Sequence, residues 1–265
     1  MKFSIITVCY NNRDGLEKTI KSVICQTYKD YEFIVIDGGS EDGTKELLEQ
    51  YDDQIDFWCS EPDKGIYNAM NKGVTHAHGD YVIFMNSGDA FYNKDVLDSI
   101  KKRNPDKDII SGYSIRIDNG GYYHNHSDNI LRQLIYGAIS HQATFIKRGL
   151  LVSFPYDETL KIVSDWKFWI QTIIANNVSF EFIDDKIAIQ DMDGIASGDP
   201  HATRQKPERE IVLNEYIPII IRNELQKYYT IIDSPFYKTL NSLKQKNYFL
   251  YRCIRKISTI IDKHL

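Results

Sequence analysis

Tyr81-Val-Ile-Phe-Met-Asn-Ser-Gly-Asp89 decides how this chain is read. Five apolar or aromatic residues run straight into four polar ones. A segment that short and that apolar reads as a strand buried on both faces. Ligands of open α/β sheets bind beyond the carboxyl ends of such strands. Asn86, Ser87 and Asp89 therefore belong where the core stops and a cleft begins. Two readings of the tetrapeptide stand open. It is a turn, since these four residue types dominate turns. Or Asp89 is a carboxylate that holds a divalent cation carrying phosphates.

Outward from this stretch, strands and helices alternate. Phe3–Tyr10, Tyr31–Ile36 (ending at Asp37) and Ile55–Ser60 read as strands. Helices lie between them, with Asp14-x-x-Glu17 as a capping box for the first. A helix through Ile66, Ala69, Met70, Gly73 and Ala77 leads into Tyr81. This alternation implies parallel strands with right-handed crossovers. After Asp89 the pattern changes. Asp95–Lys102 is helical and Ile109–Ser111 a short strand. Tyr113–Asp118 and Tyr122–His126 form a hairpin about Asn119-Gly120-Gly121. Asn129–Tyr136 is helical and Ala143–Lys147 a strand. A helix capped by Ser164 and two strands, Ser179–Ile183 and Ile187–Gln190, follow. Gly194–Lys206 reads as a loop, then two helices, Ile211–Ile232 (broken near Pro218) and Leu240–Ile261, close the chain. The expected organisation is an α/β domain over 1–205, with halves 1–90 and 91–205, and a helical extension over 206–265.

The chain has 265 residues, 42% hydrophobic and 26% charged, as expected of an ordinary globular enzyme. Its apolar runs are too short to span a bilayer, and Met1-Lys2-Phe3 leads directly into the first strand, so a cytoplasmic protein is expected. Cys9, Cys25, Cys59 and Cys253 form no Cys-x-x-Cys pair and read as reduced thiols. The net charge of −5 is unevenly spread. Residues 236–265 carry seven Lys and Arg against one Asp, a net +6, which leaves −11 on the rest. A basic tail on an acidic body points to an anionic surface as partner and argues against nucleic acid. No Gly-x-Gly-x-x-Gly follows the first strand, and the Gly-x-x-x-x-Gly-Lys-Ser/Thr loop is missing. That disfavours a nicotinamide fold and excludes a P-loop.

Four motifs carry a resemblance. Ser4-Ile-Ile-Thr-Val-Cys-Tyr-Asn11, Val35-Ile-Asp-Gly-Gly-Ser-Glu-Asp-Gly-Thr44, Ser60-Glu-Pro-Asp-Lys-Gly-Ile-Tyr67 and Asn86-Ser-Gly-Asp89 stand in order. Together they resemble the family 2 glycosyltransferases of the GT-A fold, in the branch that builds bacterial surface polysaccharides. The resemblance implies a Rossmann-like, mainly parallel sheet flanked by helices. It implies a nucleotide-sugar site at Thr7, Cys9, Tyr10, Asn11, Gly39, Asn86 and Ser87. Asp37 would hold the base edge, and Asp63 and Lys64 would face the nucleotide. Asp89 matches the final, metal-binding acid of the family's Asp-x-Asp type motif, with Mn²⁺ or Mg²⁺ as cofactor. Asn86 departs from that motif and leaves one carboxylate where two or three are common.

On the acceptor side, Val163-Ser-Asp165-Trp166 matches the family's acidic motif, so Asp165 is the candidate catalytic base. Read without the resemblance, Asp165 is an acid favoured at a helix start. His141 and Gln142 line the acceptor cleft or are structural. Gly194–Arg204 closes over the diphosphate with His201 and Arg204 as donors, or is a solvated loop. Trp166 stacks on a sugar or packs in the core, and core packing suits Trp169. The tail places Phe249, Leu250, Cys253, Ile254, Ile257, Ile260 and Ile261 at helical spacing among basic residues. That describes an interfacial helix on an anionic membrane, a docked helix or a dimer helix. The expected activity is inverting, metal-dependent transfer from a UDP-sugar to a hydroxyl of a lipid-linked surface glycan, at the inner face of the membrane. The alternatives are a GDP- or dTDP-sugar donor, or a nucleotide-sugar-binding module without catalysis.

Overall fold

Residues 81–84 form a strand with all four side chains buried, and the chain leaves it at Met85 for the polar turn. The structure is a computed structural model and describes residues 1–118, 121–124, 130–191, 203–248 and 250–252. The elements in order are β1 (Phe3–Cys9), α1 (Arg13–Ile24), β2 (Tyr31–Asp37), α2 (Thr44–Gln50), β3 (Phe57–Ser60), α3 (Ile66–His76) and β4 (Tyr81–Phe84). Next come β5 (Ala90–Phe91), α4 (Val96–Arg103), β6 (Ile109–Asp118), β7 (Gly121–His124), α5 (Ile130–Tyr136), β8 (Thr144–Lys147) and α6 (Arg148–Ser153). Then follow α7 (Ser164–Trp169, continued by a π-helical turn over Ile170–Ala175), β9 (Phe180–Gln190), α8 (Gln205–Tyr216), α9 (Ile219–Asp233) and α10 (Pro235–Lys246).

Among the described residues the strands form a nine-stranded sheet in the order β3-β2-β1-β4-β8-β6-β9-β5, with β7 paired to β6. β3, β2, β1 and β4 are mutually parallel, as strand–helix alternation requires. β8 turns the sheet antiparallel, and β9 returns parallel to β6. The register puts Cys9 beside Asp37 and Asp37 beside Ser60. The first three strand ends are thus level, and Ser87 donates its N–H to Val8 O beside them, 3.1 Å away. α3 lies close against the sheet at Gly73, where a Cβ would come within 2.5 Å of Ile6 Cγ2.

Several boundaries differ from the sequence reading. Asn12, not Asp14, caps α1: its side chain accepts the Gly15 N–H. Ile109–Ser111 and Tyr113–Asp118 are one strand, β6. Its pairing with β9 shifts register around Gly112, where a Cβ would meet Asp185 O at 2.5 Å. A glycine at a strand irregularity interrupts the alternation that a continuous strand would display. Ser179–Ile183 and Ile187–Gln190 likewise join as β9 through polar Asp184-Asp185-Lys186. Ser164 does not cap α7; Val163 holds that position, and the buried Ser164 hydroxyl has no partner. β5 and α6 carry no pattern strong enough to announce them.

The described chain divides into two compact units, Met1–Val212 and Leu213–Leu265. The second contains α9 and α10. Its exposed apolar residues include Ile219, Ile220, Ile221, Tyr228, Ile231, Phe236 and Tyr237. No helix among the described residues is long and apolar enough to cross a membrane. Of the tail's apolar set, Phe249, Cys253, Ile254, Ile257, Ile260 and Ile261 lie outside the described residues.

Candidate active site

The carboxyl edge of the parallel strands is stitched together by side chains. The Asp37 carboxylate is fully buried. It accepts the Ser40 N–H at 3.0 Å and the Ser60 hydroxyl at 2.7 Å, and the Ser40 hydroxyl binds its other oxygen. Ser40 Oγ in turn accepts the Asn11 N–H, and Asn11 Oδ1 accepts that of Glu41. Asn11 sits at φ 47° and Gly39 at φ 82°, so this loop is folded tightly against the strand ends. Asp37 is thereby turned inward and held by protein donors from the loop that follows it and from the end of β3. Asp63 is the carboxylate beside it. Gly38 passes beneath Asp63 so closely that a Cβ would lie 2.6 Å from Asp63 Oδ2 and 3.2 Å from the Tyr10 ring. Tyr10 is 66% exposed there. Lys64 is exposed next to Asp63.

Thr7 is fully buried and its hydroxyl is spent on Met85 O at 2.6 Å, so it lies inside the sheet and not on the cleft. Cys9 is also buried, and burial pushes its thiol up to about 11. It is a packing residue without thiolate chemistry at neutral pH.

The Asn86–Asp89 turn is clamped by α1. Thr19 Oγ1 accepts the Gly88 N–H at 3.0 Å and reaches Asp89 O at 2.7 Å. Lys18 Nζ donates to Gly88 O, and Asn12 Nδ2 to Ser87. The Asp89 carboxyl is 3% exposed. Burial pushes it up to about 6, against the lowering effect of the Asp191 N–H, His141 and the Gln142 amide; the Asp191 charge adds to the rise. Gly88, at φ 98°, lies under the Asp191 carboxylate, which would be 2.2 Å from a Cβ there. The sequence reading missed Asp191, whose only signal was an acid directly after β9.

Asp165 stands at the start of α7, 19% exposed. Its Oδ2 lies 3.0 Å from His141 Nδ1 and its Oδ1 3.0 Å from the Tyr67 hydroxyl. Burial alone would raise this carboxyl, but His141, the Trp166 N–H and Tyr67 together hold it below the usual carboxylate range. The other face of the imidazole, Nε2, lies 3.1 Å from Asn86 Nδ2. An amide NH₂ only donates, so Nε2 accepts and Nδ1–H donates to Asp165. Asn86, His141 and Asp165 thus form one hydrogen-bonded chain between the strand-end turn and α7. Asn86 Oδ1 is buried without a partner.

Trp166 is 2% exposed and Trp169 fully buried. Their indole N–H groups bond Leu134 O and Ile139 O. Trp166 is therefore a packing and anchoring residue, and the sugar-stacking expectation is corrected. Gln142 is buried and turned toward Asp89. Arg204 is exposed just before α8. His201 lies outside the described residues, as does most of Gly194–Lys206.

No group of three or more His, Cys, Asp or Glu among the described residues forms a metal cage. Asp89, Asp191 and the unpartnered Asn86 Oδ1 are all hard oxygen donors. Such a sparse set fits a hard cation that keeps its waters and takes substrate phosphates.

Comparison with known proteins gives the family and the fold. The model of the family described as glycosyl transferase family 2 matches residues 4–159. An uncharacterized glycosyltransferase of Mycobacterium tuberculosis is 33% identical over 180 residues, 65% of this chain and 69% of the relative. A putative teichuronic acid biosynthesis glycosyltransferase, TuaG of Bacillus subtilis, is 40% identical over 98 residues, 36% of this chain and 38% of its own. Among solved structures, residues 1–349 of S. aureus TarS in complex with UDP superimpose with TM-score 0.62 at 21% identity. That match covers 72% of this chain and 60% of the TarS chain. The mannosyltransferase PcManGT of Pyrobaculum calidifontis, in complex with GDP-Man and Mn²⁺, superimposes with TM-score 0.58 at 14% identity, over 96% and 86%. At these identities the two structures speak to the fold, which is that of the GT-A glycosyltransferases.

Proposed function

We propose, because the chain belongs to glycosyl transferase family 2, that it transfers a sugar with inversion from a UDP-sugar to a hydroxyl of a growing surface glycan. The observation that carries this reading is the chain Asn86–His141–Asp165. It ties the strand-end turn, where a diphosphate would lie, to an ionised carboxylate on the acceptor side.

In this reading the exposed Tyr10 ring and Asp63 receive the base, and Asn86, Ser87 and Asp89 face the diphosphate. A divalent cation held by Asp89, with Asp191 and Asn86 Oδ1 beside it, would supply positive charge toward the departing diphosphate. Asp165 takes the proton of the acceptor hydroxyl as that oxygen attacks the anomeric carbon. The bond to the diphosphate breaks as the new glycosidic bond forms, with oxocarbenium character between. His141, donating through Nδ1, fixes the carboxylate's orientation. The test is thermal stabilisation by UDP-, GDP- and dTDP-sugars, each with and without Mn²⁺. Stabilisation by UDP-sugars that requires Mn²⁺ is expected. Indifference to every nucleotide sugar would remove the donor site.

The acceptor in this reading is lipid-linked. Support comes from the second unit, where exposed Ile219, Ile220, Ile221, Tyr228 and Ile231 share the chain with the basic residues of the tail. Apolar side chains interleaved with Lys and Arg suit an anionic bilayer surface. The intact protein should sediment with phosphatidylglycerol vesicles at low salt and release at high salt, and removing residues 236–265, which carry the basic charge, should weaken that binding and flatten its salt dependence. If the intact protein ignores such vesicles at low salt, the tail is a packing or dimer element.

A further inference from the structure

We propose that Glu208 and Arg209, adjacent on α8, are positioning residues that hold Asp165 and His141 in contact. The inference rests on Asp165 being the base. Asp165 and His141 stand on different segments, and their 3.0 Å contact survives only if both segments are fixed. Glu208 fixes the first. Its carboxylate accepts three consecutive backbone N–H groups, Lys161 at 2.8 Å, Ile162 at 3.0 Å and Val163 at 3.2 Å. These donors lead directly into α7, whose N-cap, Val163, offers no side-chain acceptor of its own. Without Glu208 they would lose their partner, so a carboxylate from a distant helix anchors the backbone that leads into α7. Tyr67 holds the same segment from its carbonyl side, with its hydroxyl 2.7 Å from Ile162 O.

Arg209 fixes the second segment. Its guanidinium donates to Gly137 O at 2.6 Å and lies 4.6 Å from the centre of the Trp166 ring. Trp166 and Trp169 bond Leu134 O and Ile139 O, on either side of Gly137. The stretch that ends in His141 is therefore gripped at three carbonyls. Arg209 is stacked on the helix that carries Asp165, so one side chain touches both segments. These contacts of Glu208 and Arg209 all lie on the acceptor half of the site. Their loss should reduce turnover and leave nucleotide affinity alone, because a displacement of about 1 Å at a reacting group can cost on the order of 10²-fold in rate.

The experiment compares the parent with Glu208→Gln, Glu208→Asp, Arg209→Lys, Asp165→Asn and the double variant Asp165→Asn/Glu208→Gln. Release of UDP from UDP-N-acetylglucosamine and of GDP from GDP-mannose is followed with Mn²⁺, water standing in for the acceptor. Nucleotide affinity is measured by calorimetry with UDP and GDP, and amide exchange is followed over residues 161–163. Glu208→Gln should lose amide protection there and fall about 10-fold or more in kcat, with donor KM and nucleotide Kd within about two-fold. Arg209→Lys should behave likewise, Glu208→Asp should recover part of the rate, and the double variant should be no slower than Asp165→Asn. Glu208→Gln turning over within two-fold of the parent, or keeping its amide protection, would overturn the clamp. So would a parallel loss of nucleotide affinity, which marks a merely structural role. If Asp165→Asn itself keeps full turnover, the base assignment fails, and that failure is visible separately from the Glu208 result.

Discussion

Asp165→Asn should leave nucleotide affinity within about two-fold and lower sugar transfer by roughly 10²-fold or more, the usual contribution of a positioned general base. The amide keeps the shape of the carboxyl and can still accept the Tyr67 hydroxyl. It cannot take a proton from an acceptor. The nucleotide-facing residues of the proposal, Tyr10, Asp63 and the Asn86–Asp89 turn, are untouched by the change. The carboxyl is held below its usual range by His141, Trp166 N–H and Tyr67, which outweigh its burial, so it is ionised throughout the neutral range and loses base function only in acid. Measuring nucleotide binding and transfer on the same variant separates the two roles. Transfer within a few-fold of the parent would refute the assignment. The neighbouring carboxylates are poor substitutes: Asp157 is paired with Lys167 at 3.0 Å, and Glu158 is bound by Asn68 and Asn71.

Asp89→Asn should abolish Mn²⁺-dependent stabilisation by UDP and, at the same time, stabilise the nucleotide-free protein at alkaline pH. Burial pushes the Asp89 carboxyl up to about 6 from an ordinary 3.8. A carboxyl raised in the folded state favours folding only while it is protonated. Its contribution is fully present below the unfolded value and lost as pH rises through about 6. At pH 8 the buried charge therefore costs stability, by about 3 kcal/mol at most from the size of that shift. An amide removes the charge and can still accept the Asp191 N–H, which now lies 2.8 Å from Asp89 Oδ1. Thermal unfolding of parent and variant at pH 4 and pH 8, without ligand, should show the variant ahead at pH 8 and the gap narrowing toward pH 4. A variant less stable than the parent at pH 8 would contradict the burial argument. A variant that keeps its Mn²⁺-dependent response to UDP would remove Asp89 from the metal's ligands.

The parallel half of the fold was legible because each buried strand runs straight into a polar group: Cys9 into Tyr10-Asn11, Ile36 into Asp37, Met85 into Asn86. The alternation of those strands with helices then dictates that their ends share an edge. Beyond Asp89 the signal thins. Gly112 hides the continuity of β6, and Asp184-Asp185-Lys186 hides that of β9. Core packing suits Trp169 in sequence, but Trp166 reads equally as a sugar platform because aromatic residues at helical spacing do not say which face is buried. The fold turns both inward and uses their N–H groups as anchors. Asp37 shows the opposite limit. A carboxylate at a strand end gives no sign in sequence of its protein partners, and here Ser40 and Ser60 both bond it. The links most relevant to chemistry are not local at all. His141 meets Asp165 across 24 residues and Asn86 across 55. Glu208 meets the start of α7 across 45 to 47. Such pairings come from sheet topology, which brings β4, β8 and the segments flanking them together, and no short window of sequence contains them.

The central claim is that a nucleotide-bound sugar is displaced in line at this strand edge, with Asp165 opposite the diphosphate. The configuration of the first-formed product tests it most directly. An α-configured UDP-sugar is incubated with the protein and Mn²⁺, and the released or transferred sugar is followed by proton NMR before mutarotation. A single displacement predicts the β-anomer first, with Asp165→Asn forming it roughly 10²-fold more slowly. Appearance of the α-anomer first, or equal rates for parent and variant, would contradict the account.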